Sequence, residues 1–341
     1  MEVQQLNETA LATVAPGKGI LAADESSGTI KRRFDSINVE STEESRRDYR
    51  EMLFRAPGIA AQISGVILYD ETLRQNGADG TPLVKVLQDE GIIPGIKVDT
   101  GGKPLAGAPG EQVTEGLDGL RDRLAEYREL GARFTKWRGI YAIAEGTPSR
   151  YCSEANAHAL ARFAALSQEA GLVPIVEPEV LMDGDHDIDR CMDVTEVVIR
   201  EVYYQLGQQR VVLEGTLLKP NMVLSGKDAA NRAGPEEVVE KTVACLKRSV
   251  PAAVPGIVFL SGGQSDNEAT VNLNAINQYA ASVGAPWELS FSYGRGLQAA
   301  PLKVWGGDAA KKEEAQNEFQ HRAYVTGAAR RGAYRAEMDA R

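Results

Sequence analysis

The sequence predicts an α/β protein, a single-domain (β/α)8 TIM barrel with helical extensions at its N-terminal and C-terminal ends. Three observations carry this reading. Eight apolar runs of strand length recur about 30 to 45 residues apart. Helical patterns separate them, and strand–helix alternation means parallel strands with helices outside. The length of 341 residues accommodates eight such units once a few long loops are allowed. The barrel is expected to span 1–341, with a short tail from about 331. An open doubly wound sheet is the other arrangement. It usually carries a glycine-rich turn after its first strand. Here Gly17-Lys18-Gly19 precedes the first run and is not completed as G-x-G-x-x-G.

The elements follow in order. Val3, Leu6, Ala10, Leu11 and Val14 recur at helical spacing over 3–15, and Gly17 ends that helix. The first apolar run, from Gly19, ends on Asp24-Glu25-Ser26. Residues 43–56 read as a charged helix. The second run, from Ser64, ends on Asp70-Glu71. Pro82 to Glu90 reads as a short helix with proline in its first turn. The third run, Ile92 to Asp99, carries Lys97. Leu117, Leu120, Leu124 and Tyr127 mark a helix, and the fourth run, Ala132 to Ile140, holds Lys136 and Arg138. Ser153 to Ala170 is an alanine-rich helix, and the fifth run, Leu172 to Val180, holds Glu177 and Glu179.

Ile188 to Leu206 is a helix. The sixth run, Val212 to Met222, is expected to be a long buried strand that ends at Lys219. Pro220 sets that end, because proline cannot donate to a sheet ladder. Pro235 to Val250 is a helix, and Gly256 to Gly263 is the seventh run. Ser265 and Glu268 form a capping box for the helix after it. Glu288 to Arg295 is the eighth run, and a polar helical segment over about 308–330 closes the chain.

Composition narrows the function. Apolar and charged fractions are those of a globular protein in water. No window is apolar for long enough to span a bilayer. The first residues lack the basic and apolar regions of a secretory signal. Three scattered cysteines, Cys152, Cys191 and Cys245, suit a reducing compartment and make neither a disulfide framework nor a zinc site. A cytoplasmic location is therefore expected. A net charge of −10 argues against nucleic acid and anionic membrane as partners. Anions would need locally concentrated basic groups.

Such a concentration exists. Asp24, Lys97, Lys136 with Arg138, Glu177 with Glu179, Lys219, Ser261 and Arg295 fall at the carboxy-terminal ends of the runs. In a barrel those ends share the face that carries the active site. A lone lysine at a strand end would ordinarily snorkel to the surface. Several ammonium groups in one mouth lower each other's pKa, and burial adds to that. A drop of about three units from 10.4 would leave one lysine largely neutral at pH 7. A neutral lysine attacks carbonyls to form a Schiff base, and Glu177, Glu179 and Asp24 can move the protons. Lys219 ends the most apolar run. Lys97 and Lys136 have polar neighbours, so they are expected to be better solvated and charged.

The loop after the seventh run reads Ser261-Gly262-Gly263, and that after the eighth reads Ser292-Tyr293-Gly294-Arg295. Barrel enzymes often bind phosphate between these two loops, and arginine can grip it with two donors. Metal chemistry finds no support. Asp183-Gly184-Asp185-His186-Asp187 opens like a calcium loop, but Ile188 and Val194 replace its glycine and its bidentate glutamate. His158 reads as a helix residue, and His186 and His321 read as surface residues.

Several motifs are long and specific. Gly19–Ser26 (GILAADES), Gly95–Asp99 (GIKVD), Lys136-Trp137-Arg138, Pro174–Glu179 (PIVEPE), Glu214–Met222 (EGTLLKPNM), Phe259–Ser265 (FLSGGQS), Leu273–Asn277 (LNAIN) and Ser292–Arg295 (SYGR) resemble class I fructose-bisphosphate aldolase. The resemblance runs from near residue 10 to about 330. It implies Lys219 as the Schiff-base lysine and Glu177 as the acid and base of iminium formation and hydrolysis. Asp24, Lys136 and Glu179 resemble the polar support of that pair. Ser261, Gly262, Gly263, Ser292, Gly294 and Arg295 resemble the loops that hold the ketose 1-phosphate. Ser26, Arg33, Lys97 and Arg138 lie where the family handles the other phosphate and the sugar hydroxyls.

The resemblance further implies a metal-independent lyase of glycolysis, with no cofactor, acting on sugar phosphates as a homotetramer. The reaction expected is reversible cleavage of fructose 1,6-bisphosphate to dihydroxyacetone phosphate and glyceraldehyde 3-phosphate. Sedoheptulose 1,7-bisphosphate and fructose 1-phosphate are alternative substrates, and a non-catalytic scaffold is a remote one. Two departures stand out. No residue up to Arg341 matches the terminal tyrosine that aids proton exchange in animal members, and Tyr334 is not an obvious replacement. Thr29 stands where many members have serine, and keeps the hydroxyl.

Overall fold

The computed structural model describes residues 3–340. The chain begins with α1 (Val3–Thr13), β1 (Gly19–Ala23), α2 (Ser27–Asp35), α3 (Glu43–Phe54) and β2 (Ile63–Leu68). It continues through α4 (Asp70–Arg74), α5 (Leu83–Asp89), β3 (Ile93–Lys97) and a hairpin of β4 (Gly101–Pro104) and β5 (Gln112–Glu115). Then come α6 (Leu120–Glu129), β6 (Phe134–Tyr141), α7 (Arg150–Glu169), β7 (Val173–Val180), α8 (Ile188–Gln208) and β8 (Leu217–Leu218). The last are α9 (Pro235–Ser249), β9 (Gly256–Phe259), α10 (Asp266–Ser282), β10 (Glu288–Tyr293), α11 (Arg295–Trp305) and α12 (Lys312–Arg330).

Eight strands close into a parallel barrel in the order β1, β2, β3, β6, β7, β8, β9, β10 and back to β1. The apolar runs form strands because each is buried on both faces, which suits an unbroken apolar sequence. The expected long sixth strand is not there. Leu213–Gly215 is a turn of 3-10 helix, and only Leu217 and Leu218 pair with the flanking strands. The turn is fixed from below by α1, since a Cβ on Gly215 would stand 2.8 Å from Leu6 Cβ. Lys219 still takes its place in the barrel, through a 2.8 Å hydrogen bond from its amide to the Val176 carbonyl.

Period-two alternation sorts the barrel interior. Ile20, Ala22, Phe134, Val173, Ile175, Leu217 and Val258 pack together inside, with Leu6 and Ala10 of α1 and Val14 just after it. The Phe134 ring fills space that Gly95 leaves; a Cβ there would lie 2.1 Å from the ring. Two residues further along the same faces come Asp24, Lys136, Glu177 and Lys219. The interior is therefore apolar toward α1 and ionisable at the opposite end. Outward-facing side chains join the helices in a second core, where Trp137 stacks on Phe163 at 5.7 Å. Phe34, Tyr49 and Trp305 form an aromatic cluster that fixes α2, α3 and α11 against one another.

Candidate active site

The carboxy-terminal ends of the strands open into a cavity of about 1170 Å³. Asp24, Ser26, Arg33, Lys97, Lys136, Arg138, Glu177, Glu179, Lys219, Ser261, Gly262, Ser292, Gly294 and Arg295 all line it. Gly263 does not; it is exposed and turned toward Met182.

At the floor, two lysines and two carboxylates alternate. Lys136 Nζ lies 2.7 Å from Asp24 Oδ2 and 3.1 Å from Glu177 Oε2. Lys219 Nζ lies 3.1 Å from Glu177 Oε1. Contrary to expectation, Lys136 is as deeply buried as Lys219, both being 4 % exposed. Polar neighbours along a strand do not measure solvation, because the charges around Lys136 come from β1 and β7 as partners. Burial alone would lower the Lys136 amine, but Asp24, Glu177 and Asp99 outweigh it and hold it well above the usual lysine range. Burial would likewise raise the Asp24 and Glu177 carboxyls. The ammonium of Lys136, with Lys219 behind it, instead keeps both below their ordinary values. Glu177 Oε2 is buried without a well-angled hydrogen bond, so it keeps lone-pair capacity for a proton.

Higher in the cavity each basic group has a protein partner. Lys97 Nζ donates to Asp99 Oδ1 at 2.5 Å and to the Asp99 carbonyl at 2.6 Å. Arg138 pairs with Glu179, and Arg33 pairs with Glu25. Burial lowers the Arg138 guanidinium, but Glu179 and Glu177 hold it above its ordinary value. Arg295 donates to the Gly262 carbonyl. This links the loop after β9 to the start of α11, with Gly262 in the left-handed region at φ +59°. Glycine adopts that conformation without strain. The Ser292 hydroxyl is buried there without a partner. Serine hydroxyls, a helix N-terminus and an arginine are groups whose chemistry suits an anion.

Sequence reasoning missed Glu25, which lines the cavity, and Arg50 and Gln298, which stand behind it. Glu25 carried a weak signal, its place beside Asp24 in an acidic turn. Arg50 carried none, because it belongs to a helix whose sequence is charged throughout. His186 is a correction: it is 9 % exposed rather than superficial, and neither ring nitrogen has a partner. The calcium-like loop does other work. Asp183 pairs with Lys227 at 2.5 Å, and Asp187 caps α8. Among the described residues no group of three or more His, Cys, Asp or Glu side chains could hold a metal ion.

A closed (β/α)8 barrel with lysines and carboxylates interleaved at its carboxy-terminal mouth defines a barrel enzyme of the lysine-dependent lyase class. The sequence profile described as "Fructose-bisphosphate aldolase class-I" matches residues 5–341, and the chain belongs to that family. A probable fructose-bisphosphate aldolase class 1 from Xanthomonas campestris is 57 % identical over 98 % of this chain and 100 % of its own length. The cytosolic fructose-bisphosphate aldolase 4 of Arabidopsis thaliana is 54 % identical over 94 % of this chain and 81 % of its own. A fructose-bisphosphate aldolase from Plasmodium falciparum, solved with TRAP and a small-molecule inhibitor, is 47 % identical. It superposes with a TM-score of 0.96, covering 98 % of this chain and 96 % of that one.

Proposed function

We propose that this chain cleaves fructose 1,6-bisphosphate reversibly to dihydroxyacetone phosphate and glyceraldehyde 3-phosphate through a Schiff base on Lys219. The observation that carries the reading is the buried contact of Lys219 Nζ with Glu177 Oε1 at 3.1 Å. Glu177 takes a proton from the Lys219 ammonium, and the freed amine adds to the ketose carbonyl to form a carbinolamine. Glu177 returns that proton to the carbinolamine hydroxyl, which leaves as water, and the nitrogen lone pair forms the iminium. The same carboxylate then accepts the proton of the 4-hydroxyl. The C3–C4 bond breaks, its electrons pass into the enamine, and glyceraldehyde 3-phosphate departs. Protonation of the enamine carbon and hydrolysis release dihydroxyacetone phosphate. Asp24 and Glu179 hold Lys136 and Arg138 in place through this sequence.

Ser261, Gly262, Ser292, Gly294 and Arg295 are the residues we assign to the 1-phosphate. Ser26, Arg33, Lys97 and Arg138 are assigned to the other phosphate and the hydroxyls. Neither a cofactor nor a metal enters these steps, because the iminium itself is the electron sink. The family supports a homotetramer. The cytosolic name of the Arabidopsis relative supports a cytoplasmic location, and no described helix is long and apolar enough to cross a membrane. Borohydride trapping with each candidate ketose phosphate, followed by peptide mapping, tests the reading. A labelled peptide other than the one containing Lys219 would refute it.

A further inference from the structure

The turn after β1 is stapled by side chains from three helices. Arg50 of α3 is 1 % exposed. Its Nη2 donates to the Glu25 carbonyl at 2.7 Å, and its Nη1 donates to Thr72 Oγ1 of α4 at 2.7 Å. Gln298 Nε2 of α11 donates to the Ala22 carbonyl at 2.7 Å and to Glu25 Oε1 at 2.9 Å. Glu25 Oε1 also accepts from Arg33. The other carboxylate oxygen, Glu25 Oε2, is buried without a hydrogen bond, and it faces Arg50 Nη2 at 3.8 Å. Arg50 Nε is buried and unpartnered too.

One buried carboxylate thus stands between two guanidiniums. It has closed on one of them, on the cavity wall, and stands just short of the other, behind it. Glu25 occupies the Nη1 end of the Arg33 guanidinium, and a phosphate that takes that end displaces it. A buried carboxylate stripped of its nearest counter-ion is costly, but Arg50 stands 3.8 Å from the free oxygen. We propose that Glu25 is a specificity-determining residue that exchanges partners. It pairs with Arg33 until a phosphate dianion takes that arginine, and then passes to Arg50. Arg50 is the positioning residue that makes the exchange possible. This rests on the assignment of Arg33 to the second phosphate. Its consequence is a threshold. A doubly charged phosphate draws Arg33 off Glu25, whereas a hydroxyl in the same place does not.

The sign of one effect tests it. Glu25→Gln removes the competing charge, so the preference for fructose 1,6-bisphosphate over fructose 1-phosphate, as a ratio of kcat/KM, should rise roughly three- to tenfold. If Glu25 merely positioned Arg33, the same variant would lower the ratio, and a lowered or unchanged ratio overturns the exchange. Arg33→Ala separates this from the underlying assignment. If that variant leaves the ratio unchanged, Arg33 does not hold the phosphate and the assignment itself fails. The unaltered protein gives a test that no folding defect can obscure. A crystal structure with inorganic phosphate on Arg33 should show Glu25 Oε2 within hydrogen-bond distance of Arg50. Phosphate on Arg33 with Glu25 still paired to it would sink the proposal.

Discussion

Lys219 Nζ and Glu177 Oε1 stand 3.1 Å apart at the floor of the barrel mouth, each less than 5 % exposed. At that distance a proton crosses in one step, without a relay of water. Glu177→Gln keeps the shape and removes the acceptor. We expect kcat to fall by about 10²- to 10⁴-fold, the usual contribution of a positioned acid or base. Single-turnover kinetics should place the loss in iminium formation. A variant within threefold of the parent would remove Glu177 from the proton path.

Lys219→Arg keeps the charge but not the nucleophile, because guanidinium does not deprotonate in proteins. The variant should fold, bind inorganic phosphate and lose cleavage by several decades. Lys136→Ala should turn over slowly and still be trapped at Lys219. Trapping at Lys136 or Lys97 in the parent would overturn the role given to Lys219.

Arg295→Ala removes a charge-assisted grip of about 1.5–3 kcal/mol. Dihydroxyacetone phosphate should bind roughly ten- to a hundredfold more weakly, at 1.4 kcal/mol per decade. Calorimetry showing unchanged affinity would put the phosphate elsewhere.

The floor charges predict a pH signature. The Asp24 carboxyl lies below its ordinary 3.8, so its contribution to stability is complete above that value and disappears as pH falls through the folded value. The Lys136 amine lies above its ordinary 10.5, so its contribution is complete below that value and is lost only as pH rises through the folded one. Asp24→Asn breaks a buried pair and should cost about 3 kcal/mol. The gap in unfolding free energy between parent and variant should hold through the neutral range and narrow below pH 3.8. A gap that stays level into strong acid would mean that Asp24 is not charged in the folded protein.

Activity should survive dialysis against a strong chelator. Loss of turnover in EDTA that zinc restores would refute the iminium route.

Much of the barrel was legible because parallel strands buried on both faces leave unbroken apolar runs, and those runs end where charge appears. The sixth strand misled for a physical reason. Val212 and Leu213 are apolar enough for a strand, but Leu213–Gly215 wind into a 3-10 turn held by Gln168 of α7 and Asn7 of α1, and apolarity alone does not fix φ and ψ. The hairpin after Lys97 went unseen because its strands carry Gly101, Gly102 and Pro104, which read as loop. The floor residues were legible as a set, since period-two alternation carries Ala22, Phe134, Ile175 and Leu217 to Asp24, Lys136, Glu177 and Lys219. Their partners were not. That Lys136 lies between Asp24 and Glu177, or that Arg50 reaches the turn after β1, depends on which strands and helices become neighbours.

The hairpin has a consequence for traffic through the mouth. The Thr114 amide donates to Asn156 Oδ1 at 3.1 Å, and its hydroxyl donates to the Arg138 carbonyl at 2.7 Å. Thr114 itself is 4 % exposed. These bonds rivet the overhang to β6 and α7, so it behaves as masonry rather than as a door. A reaction that gives up one water on forming its iminium must admit another to break it. A wall that does not swing shut leaves that water a standing route to the lysine. On this side of the barrel, then, water reaches the lysine without waiting for a flap to open.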